Sequence, residues 1–184
     1  MSADLAPLLP FVVRDAEGAE LDEAGEVVGA AYLADGLASA GYAARLRASR
    51  ERSAVARLVV AVDDAGRVLG TVTYAGDGSP MAELCRSDRA GGPGAEIRML
   101  GVLPRARGAG VAEALVRWCL ATARADGARR VLLSTQAEMR AAHRLYRRLG
   151  FTRRPDLDWV PEPGVQLLGM QLDLRAALPA DRAR

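Results

Sequence analysis

Hydrophobic positions along the chain repeat with two different periods, one typical of helices and one typical of strands. Val27, Val28, Ala31 and Tyr32 recur at helical spacing, which predicts a helix there. By the same criterion the predicted helices are residues 21–33, 42–53, 110–125 and 138–149. Short runs rich in Val, Leu and Ile predict strands. These strands are residues 11–14, 58–62, 68–74, 95–102, 130–134, 151–153 and 165–174.

Turn residues separate these elements and indicate where the loops lie. Residues 63–66 join two valine-rich runs and mark the clearest hairpin of the chain. Residues 76–94 and 155–164 are predicted to be loops, the first with one helical turn near residues 81–86. A mixed sheet with helices on both faces accommodates this order of elements.

Length and composition indicate the number of domains and argue against several kinds of partner. The 184 residues suffice for one domain, expected over residues 1–174 with a flexible tail at 175–184. The 25 basic residues, all arginine, nearly balance 23 acidic ones, so no nucleic-acid partner is expected. We see no signal peptide and no apolar run near the roughly 20 residues of a membrane span. Two scattered cysteines, Cys85 and Cys119, suit a reducing cytosol, and we expect a cytoplasmic protein.

A glycine-rich turn joins the predicted strand 95–102 to the longest predicted helix. The small residues Gly108, Ala109, Gly110 and Ala112 allow a ligand to approach the backbone closely. The first N–H groups of a helix have no internal partners and lie at the positive end of its dipole, which suits an anion. A plain solvated turn is the alternative interpretation.

Two arginines in the same turn favour the anion. Arg105 and Arg107 would be repelled by the helix dipole, by about 0.3–1 kcal/mol each, unless an anion lay beside them. A Walker A loop is excluded because no Gly-Lys-Ser/Thr follows, and the G-x-G-x-x-G dinucleotide pattern is absent.

Two motifs resemble the GNAT superfamily of acyl-CoA N-acyltransferases. Residues 107–112, Arg-Gly-Ala-Gly-Val-Ala, fit the signature R/Q-x-x-G-x-G/A, and they follow a strand similar to the family's fourth strand. Residues 142–151 are similar to the segment A-x-x-L-Y-x-x-x-G-F, at a suitable distance downstream. One departure is Met139, which stands where many members have an asparagine that contacts the cofactor.

The resemblance implies a fold and a co-substrate. The fold would be α/β (α+β mixed), a central, mostly antiparallel mixed sheet of six to seven strands with splayed central strands, flanked by about four helices. Acetyl-CoA would place its pantetheine arm in the splay and its pyrophosphate on the glycine turn. The implied cofactor-binding residues are Leu100, Gly101, Val102, Arg105, Arg107, Gly108, Ala109, Gly110, Val111 and Ala112.

Two residues are candidates for the proton transfers of acyl transfer to a primary amine. Tyr146 holds the position of the family's tyrosine and could protonate the departing thiolate, although it also lies on the apolar face of its helix. Glu96 could accept the amine's proton through water, or could simply pair with Arg98. His143 is the single histidine, so no metal site is expected.

The acceptor is expected to be a small-molecule or peptide amine. Asp156, Asp158 and Glu162 could attract it and Trp159 could pack on it, or all four could belong to a solvated loop. A non-catalytic acyl-CoA-binding module and a different nucleotide-binding α/β enzyme, such as a phosphotransferase, stay open as alternatives. A homodimer is possible, with the exposed sheet edge near residues 165–174 as its surface.

Overall fold

The computed structural model describes residues 10–88, 91–162 and 164–174, apart from the side chains of Ala40 and Glu162. The tail expected at 175–184 lies outside these ranges. The helices are α1 Glu20–Ala34, α2 Ala40–Arg47, α3 Ser49–Ser53, α4 Glu83–Ser87, α5 Val111–Ala125 and α6 Arg140–Arg148. The strands are β1 Phe11–Asp15, β2 Arg57–Asp63, β3 Val68–Ala75, β4 Gly94–Val102, β5 Arg130–Gln136, β6 Thr152–Arg153, β7 Trp159–Glu162 and β8 Val165–Asp173.

One mixed sheet holds all eight described strands. Their order is β1-β2-β3-β4-β5-β8-β6, and β7 also pairs with β8. Among these strands the pair β4–β5 is parallel and the other pairs are antiparallel. The mixed α/β fold class is therefore confirmed, with one strand more than predicted and with six helices, three of which are short.

Two predicted segments differ from the structure. The predicted helix 42–53 is divided at Ala48 because Ser49 turns inward, where its hydroxyl donates to the carbonyl oxygen of Leu21 at 2.5 Å. Gly25 of α1 permits this approach, since a Cβ there would lie 2.4 Å from the carbonyl oxygen of Arg47. The predicted loop 155–164 contains a 3-10 turn, Pro155–Leu157, and the strand β7.

The parallel strands β4 and β5 diverge halfway along their length. They pair from Gly94 opposite Arg130 to Ile97 opposite Leu133, and no further. Beyond Ile97, β4 continues beside β3 as far as Val102, while β5 continues beside β8. The splay that the family resemblance implies is present, and it leaves one side of the β4 backbone open to a ligand.

A β-bulge lies at the start of this open stretch. The register changes from Thr73 opposite Arg98 to Thr71 opposite Gly101, so β4 has one residue more than β3. Met99 within the bulge has a φ of 52°, a left-handed conformation that is uncommon for residues other than glycine. The bulge re-aims the side chains that follow it, and nothing in the sequence pattern predicts it.

Two hydrophobic clusters cover the two faces of the sheet. On one face α5 and α6 pack against β2 to β5 through the main core, which includes Leu115, Cys119 and Leu133. On the other face α1 packs through Val27 onto β2 and β3. Helix α1 also lies directly on β4, because a Cβ at Gly101 would be only 3.0 Å from the Cα of Val28. The end of β4 is thus held between helices of both layers.

Strand β8 is not an exposed edge. It pairs with β5 on one side and with β6 and β7 on the other. The expectation of an exposed sheet edge at residues 165–174, from which a dimer surface was predicted, is therefore wrong. Strand β8 is the last strand in sequence, but β6 and β7 pair with it on the side away from β5. Within the described residues, none of the helices has the length and apolar character needed to cross a bilayer.

Candidate active site

A cavity of about 880 Å³ opens where β4 ends and α5 and α6 begin. The end of α1 closes its other side through Ala31, Tyr32 and Asp35. Eight of the predicted cofactor-binding residues line this cavity: Leu100, Gly101, Val102, Arg107, Gly108, Gly110, Val111 and Ala112. The cavity therefore coincides with the open side of β4 and with the glycine turn.

The glycine turn has the backbone geometry that the sequence pattern predicts. Gly108 and Gly110 have φ angles of 80° and 83°, a region in which glycine is strongly preferred. Gly110 caps α5 without a side-chain hydrogen bond, so the N–H groups of the first helical turn face outward without an internal partner. A Cβ on either glycine would meet no atom within 4 Å. The space above this helix end is open to a ligand.

The two arginines of the turn have different surroundings. Arg107 lines the cavity and forms a two-pronged ion pair with Asp35, with N–O distances of 2.9 and 3.0 Å. The sequence predicts that the Arg107 guanidinium binds a ligand anion, but in the structure it is ion-paired with Asp35. Arg105 is exposed in a 3-10 turn, and neither it nor Ala109 is among the described residues that line the cavity.

Helix α6 contributes a row of arginines that sequence reasoning assigned to no site. Arg140, Arg144 and Arg148 are spaced four residues apart, so they lie on one stripe of the helix, and all three line the cavity. Arg148 is also paired with Glu113, the acidic residue in the first turn of α5. The i, i+4 spacing was the available signal. Four arginines and three carboxylates, Asp35, Glu113 and Glu138, line the cavity, so its lining carries a small excess of positive charge, which favours an anionic ligand.

Met139 stands at the start of α6 and lines the same cavity. Its sulfur lies 3.5 Å from the hydroxyl oxygen of Thr135, which donates to it. A thioether accepts weakly and cannot donate. Any hydrogen bond that an asparagine would donate to a ligand at this position is therefore missing from this chain.

Tyr146 lies in the core rather than on the cavity. Its side chain is 5% exposed, and its ring packs against that of Phe151 at 5.7 Å between centroids. Burial raises the pKa of its phenol, so the group stays protonated. Tyr32 of α1 is the tyrosine that lines the cavity, and burial raises its pKa too. Sequence reasoning gave Tyr32 no chemical role.

Glu96 is buried on the α1 side of the sheet, in the part of β4 that still pairs with β5. It is 3% exposed, and one carboxylate oxygen accepts a hydrogen bond from the Leu84 N–H at 2.9 Å. The other oxygen lies 3.8 Å from Nε of Arg98. Burial raises the pKa of this carboxyl to about 7, against the smaller lowering effect of Arg98. A carboxyl with that pKa can exchange protons near neutral pH.

The two aspartates of the segment 155–164 are already paired. Asp156 binds Arg154 at 2.6 Å, and Asp158 binds Arg153 at 2.8 Å. The Trp159 indole N–H donates to the Ser134 hydroxyl at 3.2 Å. The side chain of Glu162 lies outside the described part of the chain. These ion pairs leave little free charge there to attract a cationic amine.

Neither cysteine has the properties of a nucleophile. Both are free thiols, and burial raises the pKa of Cys119, as it raises that of Cys85 to about 12. Within the described ranges, no group of three or more His, Cys, Asp or Glu side chains is arranged to hold a metal ion.

A family model described as the acetyltransferase (GNAT) family matches residues 30–151 of the chain. The match includes the end of α1, the splayed part of β4, the glycine turn and the whole of α6. It therefore contains every element that lines the cavity.

One curated relative is the mycothiol acetyltransferase of Arthrobacter sp. (strain FB24). It is 36% identical over 101 residues, which are 53% of this chain and 28% of the relative. The chain thus spans less than a third of the length of that relative.

Solved structures share the fold over nearly the whole chain. The structure of yncA from Salmonella typhimurium, with its cofactor acetyl-CoA, has a TM-score of 0.63 at 21% identity and covers 95% of this chain and 99% of that one. Ribosomal-protein-alanine N-acetyltransferase from Brucella melitensis has a TM-score of 0.62 at 21% identity, with coverage of 89% and 99%. At these identities the similarity establishes the fold.

Proposed function

The chain belongs to the acetyltransferase (GNAT) family, and on that premise we propose that it transfers an acetyl group from acetyl-CoA to a primary amine by direct attack in a ternary complex. The observation that carries this proposal is the divergence of β4 and β5 after Ile97, at the cavity that the glycine turn borders. The open backbone of Leu100 and Val102 can bond the pantetheine amides as an added strand would.

The residues at the cavity fit acetyl-CoA. The volume of the cavity, about 880 Å³, lies in the range of pockets that hold cofactor-sized ligands. The N–H groups above Gly110 suit a pyrophosphate, because they lie at the positive end of α5. Arg107, Arg144 and Arg148 supply positive charge on both sides of that helix end. Each part of the ligand thus has a matching chemical surface.

The reaction needs two proton transfers and no covalent enzyme intermediate. The amine nitrogen bonds to the acetyl carbon as the carbon–sulfur bond breaks, so the amine loses a proton and the thiolate gains one. The N–H of Val102 is our candidate to stabilise the carbonyl oxygen as it becomes negative. We assign the thiolate's proton to Tyr146 and acceptance of the amine's proton to Glu96, each through water because neither side chain lines the cavity.

The acceptor class follows from what similar proteins are named for. One is a mycothiol acetyltransferase and another a ribosomal-protein-alanine N-acetyltransferase, and these names support an acceptor that is either a small-molecule amine or a peptide amine.

A cytoplasmic location fits two free thiols, Cys85 and Cys119. A homodimer stays a prediction that light scattering after size exclusion tests.

The test of this function is the release of CoA thiol from acetyl-CoA over a panel of amino acids, polyamines, aminoglycosides and short peptides. Acetyl transfer predicts thiol release that depends on one class of amine and stops in an Arg107→Glu/Gly110→Asp double variant. Thiol release at the same rate without any amine would contradict it.

A second candidate is a non-catalytic module that binds acyl-CoA. It is favoured by one observation, namely that the two candidate catalytic residues, Tyr146 and Glu96, are buried away from the cavity. Saturable binding of acetyl-CoA without thiol release over the whole panel would support this module and exclude the enzyme. Binding of ATP in preference to acetyl-CoA would favour neither, and would point to a phosphotransferase.

A further inference from the structure

Arg52 is a buried cation without a carboxylate partner. Its side chain, at the end of α3, is 6% exposed. Nη1 donates to the carbonyl oxygen of Arg45 at 2.9 Å, but Nε and Nη2 are buried and have no hydrogen-bond partner. No acidic side chain among the described residues lies within ion-pair distance of it. Burying a guanidinium in this state is costly, so an anion that completes its hydrogen bonds would be strongly favoured.

Two further polar side chains, Thr73 and Arg98, lie together on the α1 side of the sheet. Thr73 of β3 lies directly opposite Arg98 of β4, so the two side chains share a face. The hydroxyl of Thr73 is buried, at 1% exposure of the residue, and also has no partner. Arg98 is 17% exposed, and its Nη1 donates to the carbonyl oxygen of Met81 and pairs with the half-exposed Glu83 at 3.1 Å. A ligand carboxylate would therefore have to displace Glu83 from Arg98.

The surroundings of Arg52 disfavour its positive charge. Burial lowers the pKa of Arg52, Arg98 lowers it further, and Tyr42 on α2 acts in the opposite direction. Both Tyr42 and Arg98 also act on the phenol of Tyr32, which lines the cavity. Arg98 and Tyr42 thus connect Arg52 with the part of the cavity wall that Tyr32 forms.

Resting on the acetyl transfer proposed above, we propose that Arg52, Arg98 and Thr73 form a binding site for a carboxylate of the acceptor, which is therefore a small amino acid or a close analogue. The carboxylate would enter beside Arg98, the partly exposed member. Changes of side-chain rotamer, which are common on binding, would bring the unpaired N–H groups of Arg52 onto it. Two guanidinium forks and a hydroxyl suit a carboxylate, which accepts several hydrogen bonds at once.

Spacing along β4 limits the size of the acceptor. Leu100, which lines the cavity, follows Arg98 by two residues across the bulge at Met99, so the two lie at most about 7 Å apart along the chain. The thioester lies against that stretch of backbone in the proposed complex. An amine that attacks there while its carboxylate binds Arg98 must carry the two groups only a few bonds apart. A protein N-terminus would have its nearest free carboxylate in a side chain and would fit less well.

A structural role for Arg52, as a donor to the last turn of α2, is the competing explanation. The two roles predict different effects of Arg52 variants on different acceptors. A structural residue affects all amines equally through stability. A carboxylate site distinguishes an amino acid from the same molecule without its carboxyl group.

The experiment compares kcat/KM for matched pairs of acceptors, each of the common amino acids against the amine formed by its decarboxylation. The wild-type chain is expected to prefer the best amino acid over its amine by at least about 100-fold. Arg98→Met should reduce kcat/KM for the amino acid about 30-fold more than kcat/KM for the matched amine, so the preference falls even though losing Arg98 also changes the surroundings of Glu96. Arg52→Lys, which keeps the charge but loses the fork, should act in the same direction.

Two threonines of β3 supply a matched control. Thr73→Val removes an unpartnered hydroxyl, so the melting temperature should not fall, while kcat/KM for the amino acid should drop about fivefold. Thr71→Val removes a hydroxyl that donates to the Val59 carbonyl oxygen, so it should reduce stability without changing the preference for the amino acid over its matched amine.

If acetyl-CoA binds and the amines react as fast as the amino acids, or no amino acid reacts, the inference is overturned. If acetyl-CoA fails to bind, the proposed function itself fails.

Discussion

The two walls of the proposed reaction centre are built in different ways. The proposed cofactor wall consists of the open end of β4, the turn 104–110 and the first turns of α5 and α6, and it would recognise its ligand mainly through backbone groups. The proposed acceptor wall consists of α1 to α3, α4 and the sheet face that carries Glu96 and Arg98, and it would rely on buried side chains. Most of the first wall is one continuous segment from the end of β4 to the start of α5, to which only α6 is added from residue 140 onward, whereas the second wall is assembled from several separate segments between α1 and β4. The difference predicts that the cofactor is common to the family and the acceptor specific to this chain.

The largest effect is expected from a charge placed on the cofactor wall. Gly110→Asp sets a carboxylate where the pyrophosphate would bind, so the Kd for acetyl-CoA should rise on the order of 1000-fold, about 4 kcal/mol. In thermal melts, acetyl-CoA at 100 times its Kd should raise the melting temperature of the wild-type chain by roughly 5–10 °C and leave the variant unchanged.

Gly127→Asp provides the control for this change. Gly127 also has a positive φ, 76°, and open space at its Cβ, but it follows the opposite end of α5. Its substitution should reduce stability without reducing the melting-temperature shift caused by acetyl-CoA. Equal loss of the shift in both variants would mean that the glycine turn has no special role in binding.

The next effect distinguishes two tyrosines. If Tyr146 protonates the thiolate, Tyr146→Phe should lower kcat on the order of 100-fold with little change in the Kd for acetyl-CoA. Tyr32→Phe, which changes a tyrosine that lines the cavity, should then lower kcat by less than about fivefold. Pre-steady-state thiol release gives the chemical step directly. The reverse ranking would transfer the role of acid to Tyr32 and identify Tyr146 as part of the core.

Glu96 sets a pH dependence on the acceptor wall. As the base it must be ionised, so kcat/KM should rise through a pKa of about 7 and then level off. Glu96→Gln should lower the plateau about tenfold and remove this inflection. A variant with an unchanged pH–rate profile would rule out the base role.

The same carboxyl makes stability depend on pH. Its pKa is raised from 4.5 in the unfolded chain to about 7 in the folded one, so between these values the folded state holds the extra proton. The free energy of unfolding should therefore fall as pH rises from 4.5 to 7, by on the order of 3 kcal/mol, and stay low above pH 7. Urea melts should show this decline in the wild-type chain and a flatter profile in Glu96→Gln.

The smallest effect concerns the ion pair between the two walls. Asp35 holds Arg107 in the free chain and would compete with the ligand's phosphates for it. Because both side chains are well exposed, the pair is weak. Asp35→Asn should lower the Kd for acetyl-CoA about threefold, and calorimetric titration can resolve that change. A weaker affinity in the variant would show that Asp35 orients Arg107 for the ligand instead of competing for it.

The sequence predicted the parts of the fold that depend on local pattern. Gly108 and Gly110 were identifiable because a turn with positive φ needs glycine at fixed positions. Strand β7 was missed since two prolines, Pro161 and Pro163, argue against a strand, although proline is tolerated on an outer strand such as this one. The bulge at Met99 has no local signal, because its register depends on β3.

The acceptor wall shows where such prediction ends. Sequence reasoning left Glu96 between a base and an ion pair, and only burial beneath α4 reveals its raised pKa. Arg52 was one of 25 cations with nothing to distinguish it. Its unpaired N–H groups become visible once helices and sheet come together.

The most direct test of the account is a calorimetric titration of the wild-type chain with acetyl-CoA, with ATP as the competing ligand. The account predicts saturable binding of one acetyl-CoA per chain that ATP at the same concentration does not displace. No heat of binding with acetyl-CoA or with longer acyl-CoAs, or full displacement by ATP, would contradict it.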